Sequence, residues 1–433
     1  MNPRLMMWPA AIGITIAGLG GVAYHQAMGV DLSVPSAVDA TATSSASASR
    51  HAQRDAQRDA QRAAERAQRD VQIQVWNEAL TADPVSAVSM GQLAALHLQR
   101  ARESGVFNEY QQAESLARRS LSTRTRRNAA TAVTLTNSLL AQHRFTEAMD
   151  VARTLVSWEP EQPAYRALLG EVAMELGDDS TATAMFNSVW TARAGLSIAP
   201  RVARWLELTN HVEKARRVLH VARTEALSRR DLSTETKAWF HLRVGELELR
   251  AGRARDAAAA YRAGLALDDQ DPRLLAAMAR LADQQEKPAS VIAWGERAIA
   301  VRMDPATLGL LSRAYTRLGD REKASEYAQT LAVVASAQPG PYDRAWSLYL
   351  LDQEEQVGTV LEKAKAELET RRDVYGYDLT AWALYRAGRF TEARAMMAQA
   401  MRLNTPDPLL QHHAAMIAAA PTAVSAINAS AGQ

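Results

Sequence analysis

The stretch PAYRALLGEVAMELGDDSTATAMF, residues 163–186, decides the fold. The stretch contains a small residue at Gly170, a turn at Gly177 and a second small residue, Ala182, twelve positions after Gly170. A large apolar residue, Phe186, comes next. The same design returns, progressively looser, at Gly245, Gly252, Ala257 and Tyr261, and then at Ala279, Val291 and Ala298. A fixed period of this kind indicates a repeat protein.

Eight such blocks begin at residues 129, 163, 196, 238, 272, 305, 338 and 374, at spacings of 34, 33, 42, 34, 33, 33 and 36. A further, stretched block begins near residue 84. The eighth position of each block is small: Thr136, Gly170, Ala203, Gly245, Ala279, Ser312, Ala345 and Ala381. The twentieth is small or β-branched: Ala148, Ala182, Ala215, Ala257, Val291, Ala324, Val357 and Ala393.

This pattern predicts pairs of antiparallel helices. Two helices approach closely only where the side chains at their contact are small. The turn between them needs a residue that tolerates a positive φ, and the residues predicted there are Gly177, Gly252, Gly319 and Gly388, with Asn210 and Asp352 as weaker substitutes. Prolines fall near the block boundaries, where helices should stop or restart, at Pro160, Pro272, Pro305 and Pro408.

The blocks resemble the tetratricopeptide repeat over residues 84–406. The best match is AWALYRAGRF, residues 381–390, continued by Glu392 and Ala393. The resemblance implies an all-α, right-handed solenoid of eight or nine helical hairpins with a concave groove. We assign it to residues 71–420, with a capping helix at 408–419. Residues 378–388 and 411–417 are also similar to bacterial tetratricopeptide proteins of the cell envelope.

Composition excludes several classes of protein. Of the 433 residues, 47% are hydrophobic and only 6% aromatic, which favours helices over sheets. The net charge of +2 is too balanced for a dedicated nucleic-acid-binding protein. The chain has no cysteine, so disulfides, thiolate metal sites and cysteine nucleophiles are excluded.

The N-terminal segment, residues 1–30, predicts membrane targeting. Residues 5–23 carry no charge and are nearly long enough to span a bilayer. An uncleaved anchor and a cleaved signal peptide both remain open. The first places the solenoid in the periplasm at the bacterial inner membrane, and the second exports the chain to the periplasm. Residues 31–49 are predicted to be a flexible linker.

Residues 50–70 are rich in arginine and repeat Gln-Arg-Asp-Ala. Because a period of four drifts around a helix, no steady apolar seam forms. We interpret the tract as a solvated helical spacer, with contact to anionic lipid or nucleic acid as alternatives. A first ordered helix should follow near 71–81 with Val71, Val75 and Ala79 inward, and Trp76 as a further candidate for the inward face. The tail, 421–433, is predicted to be disordered.

No catalytic motif, cofactor site or metal spacing occurs among the nine histidines and the scattered acids. We therefore predict a non-catalytic protein-interaction scaffold that docks an unknown protein or peptide partner. Self-assembly into a homo-oligomer is the alternative. The resemblance implies that positions 2, 5, 9 and 12 of each block face the groove, and exposed aromatics there would suit binding. The groove residues so predicted are Trp239, Tyr342, Trp346, Tyr349, Tyr375, Asp378, Trp382 and Tyr385.

Overall fold

The computed structural model describes residues 45–104, 106–189, 195–336 and 344–421. These ranges form twenty α-helices and no strand. The helices are α1 (Ser45–Ala82), α2 (Ala87–Ser104), α3 (Phe107–Thr123), α4 (Ala129–Ala141), α5 (Phe145–Trp158), α6 (Pro163–Leu176), α7 (Asp179–Val189), α8 (Ala199–Leu208), α9 (Val212–Ser228), α10 (Thr234–Arg250), α11 (Ala254–Leu265), α12 (Pro272–Gln284), α13 (Pro288–Val301), α14 (Pro305–Leu318), α15 (Arg321–Ser336), α16 (Arg344–Asp352), α17 (Val357–Glu367), α18 (Val374–Arg386), α19 (Phe390–Ala400) and α20 (Pro408–Ala419).

Consecutive helices from α2 to α19 pair into nine hairpins, which stack into a solenoid capped by α20. The small residues lie where the helices of a hairpin meet. A Cβ atom added to Gly170 would come within 3.1 Å of the Phe186 ring, and one added to Gly245 would overlap the ring of Tyr261. The predicted all-α solenoid of hairpins is confirmed.

The turns within the hairpins adopt positive φ, as the period predicts. Gly177, Gly252, Gly319 and Gly388 have φ between 72° and 84°, and Asn210 has φ of 60°. The prediction for Asp352 is wrong, because α16 continues to that residue and the positive φ falls on Glu354. Prolines open α12, α14 and α20 at the predicted positions Pro272, Pro305 and Pro408, while Pro160 lies between α5 and α6.

The solenoid closes on itself, because its third and fourth hairpins touch its last. The Arg372 N–H donates to the Leu176 carbonyl at 3.0 Å. Arg402 pairs with Asp179 at 2.6 Å, and the buried hydroxyl of Thr405 donates to the Leu208 carbonyl at 2.8 Å. These contacts join residues about 200 positions apart, so they tie the third and fourth hairpins directly to the last one.

The arginine-rich tract belongs to one long helix, α1, which also takes in residues 45–49 of the predicted linker. Its interpretation as a solvated spacer is wrong for Arg62 and Arg69, whose side chains are buried in ion pairs with later parts of the chain. Further along α1, Ile73 faces the core, while Val71 and Val75 are exposed. The prediction is therefore wrong for Val71 and Val75, whereas Trp76 packs against the core and Ala79 is half-buried.

The predicted anchor or signal at 1–30, the linker up to residue 44 and the tail from residue 422 lie outside the described residues. Within the ranges that are described, no helix combines the length and the apolarity that crossing a bilayer requires.

Candidate functional site

A cavity of about 370 Å³ opens on the concave face of the N-terminal half. Its walls come from α2, α4, α6, α8 and α10, the first helices of five successive hairpins, and from the segments before α8 and α10. One part of the wall is apolar: Leu140, Leu196, Pro200, Leu232, Trp239 and Phe240. The other part carries four arginines and two glutamates: Arg102, Arg201, Arg204, Arg243, Glu171 and Glu235.

The apolar wall is held in place by α10. Trp239 and Phe240 meet edge to face, with ring centroids 5.1 Å apart. Phe240 is buried among the alanines of α8 and α9, while Trp239 stays half-buried. An aromatic ring with one free side in a cavity is the usual anchor point for an apolar side chain of a partner.

The two glutamates of the wall are already neutralised. Glu171 accepts a hydrogen bond from Arg201 at 2.7 Å, and Glu235 pairs with Arg273 at 2.5 Å. Neither carboxylate is therefore left to attract a basic partner.

The deeper arginines also have partners. Arg204 pairs with Glu207 at 3.2 Å and donates to the hydroxyl of Tyr375 at 3.3 Å, and Arg243 pairs with Glu246. Burial alone would raise the pKa of Glu207, but Arg250, Arg204 and Arg243 hold that pKa at about 2. Arg204 and Arg243 are thus already held in ion pairs behind the wall.

Arg102 differs from the other arginines of the wall. It lies near the end of α2, is half-buried, and makes no hydrogen bond or ion pair within the described ranges. A guanidinium offers five donors in a planar fork that suits a carboxylate. The wall therefore presents one cation that has no polar partner in the described ranges, and it also carries the half-buried ring of Trp239.

The aromatic groove predicted at the C-terminal end is largely closed. Tyr375, Asp378 and Trp382 are 7%, 0% and 4% exposed, so the prediction that these three are exposed is wrong. Of the other predicted groove residues, Trp346, Tyr349 and Tyr385 are half-buried, and Trp239 lines the cavity described above. Tyr342 lies outside the described residues. Partner binding by any of these residues stays a prediction.

The closure and the capping helix explain this burial. Arg204 of α8 lies over the Tyr375 ring, 5.5 Å from its centroid. His413 of α20 stacks on Trp382 at 4.2 Å and bonds Asp378 at 2.7 Å. Burial would raise the pKa of Asp378, but His413 and Arg344 hold it at about 2. The face predicted to receive a partner is occupied by other parts of the same chain.

The cavity residues could have been found from the repeat. Applied to the blocks that begin at residues 129, 163, 196 and 238, the groove positions 2, 5, 9 and 12 select sixteen residues. Seven of these line the cavity: Asn137, Leu140, Glu171, Ser197, Pro200, Arg204 and Trp239. Arg102 lies in the stretched first block, where no register could be set, and carried no such signal. Among the described residues, no group of three or more His, Asp or Glu side chains could hold a metal ion.

No protein-family model and no functionally curated protein matches the chain. Among solved structures, the chain is similar to PilF of Pseudomonas aeruginosa, with 15% identity and a TM-score of 0.39 over 51% of this chain and 96% of that one. It is similar to PilW, a type IV pilus biogenesis factor, with 16% identity and a TM-score of 0.41 over 52% and 99%. It is also similar to a tetratricopeptide repeat protein from Parabacteroides merdae, with 13% identity and a TM-score of 0.43 over 56% of this chain and 90% of that one. Likenesses this distant carry no conclusion about what the chain binds.

The nine hairpins of the described ranges define the class of fold directly. It is a tetratricopeptide-type solenoid. Stacked hairpins of this kind present extended concave binding surfaces.

Proposed function

We propose that this protein is a non-catalytic scaffold that holds an extended acidic segment of a partner protein in the cavity of its N-terminal half. The observation that carries the proposal is that Arg102 and Trp239 line the same cavity. Arg102 has no polar partner in the described ranges, and the ring of Trp239 is half-buried. A carboxylate side chain would bind Arg102, and a neighbouring apolar side chain would pack on Trp239.

The size and charge of the cavity support this occupant. A volume of about 370 Å³ lies within the roughly 300–1,000 Å³ that ligand sites span. Five of the six charged side chains on the wall already have partners. The charge left to act on an occupant is that of Arg102, which would attract an acidic segment and repel a basic one.

The location of the scaffold is proposed from the sequence. Residues 5–23 would hold the chain at the bacterial inner membrane with the solenoid in the periplasm, or would direct its export if they are cleaved. A tethered or exported scaffold of this kind would serve the assembly of an envelope complex.

Fluorescence anisotropy tests the binding proposal. The probe is a fluorescein-labelled decapeptide of alternating glutamate and leucine, and its counterpart carries lysine in place of glutamate. We expect the acidic peptide to bind and the basic peptide not to bind. The R102Q variant should weaken that binding by about 10- to 100-fold, the value of a charge-assisted hydrogen bond, and W239A should weaken it as well.

The matched control is R119Q, which removes an exposed arginine of α3 that makes no side-chain hydrogen bond within the described chain. Its affinity for the acidic peptide should equal that of the wild type. Equal binding of the acidic and the basic peptide, or equal losses in R102Q and R119Q, would contradict the proposal.

Self-assembly is favoured by one observation of its own. Val71 and Val75 are 59% and 54% exposed and lie one helical turn apart on α1, at the end of the solenoid. Terminal repeats usually present a polar outer face, so this apolar face could meet a second copy. Sedimentation of residues 45–433 tests it: a concentration-dependent dimer lost in V71S/V75S supports self-assembly, and a monomer at all concentrations contradicts it.

A further inference from the structure

The segment 56–70 of α1, here called the arm, reaches two distant parts of the solenoid. Arg69 pairs with Glu103 at the end of α2. One turn earlier, Glu65 accepts hydrogen bonds from the N–H and the hydroxyl of Thr234, at 3.2 and 2.9 Å, and so caps the first turn of α10. The arm therefore joins the first hairpin to the fifth.

The arm continues past α10 to the turn between α11 and α12. Arg62 pairs with Asp268 and, at 3.0 Å, with Asp269. Arg58 donates to the carbonyl of Ala266 at 2.6 Å. The four-residue spacing of the arginines, which forms no apolar seam, here places Arg58 and Arg62 on one face toward these acceptors.

The contacts that hold the arm against α2, α10 and the turn after α11 are ion pairs and hydrogen bonds. Among residues 56–70 only Arg62 and Arg69 are buried, and the alanines of the segment are all exposed. The arm therefore buries little apolar area when it docks. Because removing charged groups from water offsets much of the gain from pairing them, its ion pairs contribute little net stability. Such a contact can form and break while the hairpins stay folded.

The two ends of this bridge flank the cavity. Glu103, which the arm binds, is the neighbour of Arg102, and Thr234 precedes Glu235 and Thr236, which also line the cavity. No residue of α1 lines the cavity itself. The arm thus lies across the rim, where it holds α2 against α10.

We propose that the arm is a clasp that keeps the cavity closed and must release before an extended segment can enter. In a solenoid each hairpin contacts mainly its neighbours, so an added link between the first and fifth hairpins restrains how far the rim can open. This inference rests on the proposed binding function of the cavity, although its test does not.

The absence of cysteine allows the arm to be observed directly. Spin labels on Q57C in the arm and A263C on α11 report whether the arm is docked, since both positions are exposed. We expect a narrow distance distribution in the wild-type background, broadened by R62A/E65A. The control R66A removes an exposed arginine of the same helix and should leave the distribution narrow. Raising NaCl from 0.1 to 1 M should broaden it without any substitution.

Access to the cavity is measured on N137C, whose side chain lies on the α4 wall, by its rate of reaction with fluorescein maleimide. Release of the arm in R62A/E65A should raise that rate by about fivefold or more, as the open fraction grows, while R66A should change it less than twofold. A narrow distance distribution in R62A/E65A, or a labelling rate equal to that of R66A, would overturn the clasp. If the acidic peptide binds neither the wild type nor R62A/E65A, the proposed function is wrong. The labelling rates then still show whether the arm restricts access to the cavity.

Discussion

Gly177 tests whether the solenoid closes on itself. It ends α6 with φ of 77°, in the left-handed region. A Cβ atom at this position would overlap the backbone carbonyl of Arg372, which lies just before α18, the first helix of the last hairpin. It would also lie 2.8 Å from the Asp373 nitrogen. Gly177→Ala therefore strains the backbone and also pushes two distant hairpins apart.

A matched control separates these two effects. Gly252 ends α10 with φ of 76°, and a Cβ atom there would meet nothing within 4 Å. Gly252→Ala should cost only the left-handed strain, about 1–2 kcal/mol. Gly177→Ala should cost the same plus about 1–3 kcal/mol for overpacking against backbone that cannot rotate away.

Urea unfolding followed by circular dichroism measures both variants. We expect the free energy of unfolding to fall further in Gly177→Ala than in Gly252→Ala, by about 1–3 kcal/mol. The Arg372 amide, which donates to Leu176, should also exchange its hydrogen faster in Gly177→Ala alone. Equal destabilisation of the two variants, with unchanged exchange at Arg372, would refute the closure.

Three further changes test the interior. Burial raises the pKa of Glu175 to about 8, so at neutral pH the protein must take up a proton at this carboxyl when it folds. Glu175→Gln removes that requirement and should therefore stabilise the fold, by an amount that grows from pH 5 to pH 8. Urea unfolding at each pH measures the difference. A gain that shrinks with rising pH would contradict this. Burial lowers the pKa of His143 to about 3, so the stability of the wild type should fall as the pH drops below about 6.5. His143→Asn should reduce this loss of stability, since asparagine tolerates the positive φ at position 143. Parallel curves of stability against pH for the two proteins would contradict the prediction. Gly245→Ala places a methyl group against the Tyr261 ring. Its free energy of unfolding should fall by about 1–2 kcal/mol, even after the roughly 1 kcal/mol gain in helix propensity. Gly358→Ala lies in open space and should raise the free energy of unfolding by up to about 1 kcal/mol; a similar gain in both variants would contradict the close contact at Gly245.

The hairpins could be predicted from the sequence because their contacts are local and recur with the period. The small residues at Gly170 and Gly245, and the positive φ of Gly177 and Gly252, are each required by packing between helices that adjoin in the chain. The same periodicity placed Trp239 on the concave face, and the structure puts it in the cavity wall.

The closure and the clasp could not be predicted in this way. They join single residues about 170–220 positions apart, such as Arg204 with Tyr375 and Arg62 with Asp268, and no period links such pairs. The burial of Tyr375 follows from the closure, so the predicted exposure at the C-terminal end failed for the same reason. Arginines spaced for a solvated helix and for a docked one look alike in sequence, since only the distant acids distinguish them.

Photo-crosslinking from inside the cavity tests the central claim most directly. Benzoylphenylalanine replaces Leu232, on the cavity wall, or Val221, which is 68% exposed on α9 outside it, in cells that express the full chain. We predict that position 232 alone captures a discrete partner, and that mass spectrometry places the link in an acidic segment of that partner. Identical adducts from both positions, or adducts from position 221 alone, would contradict the account.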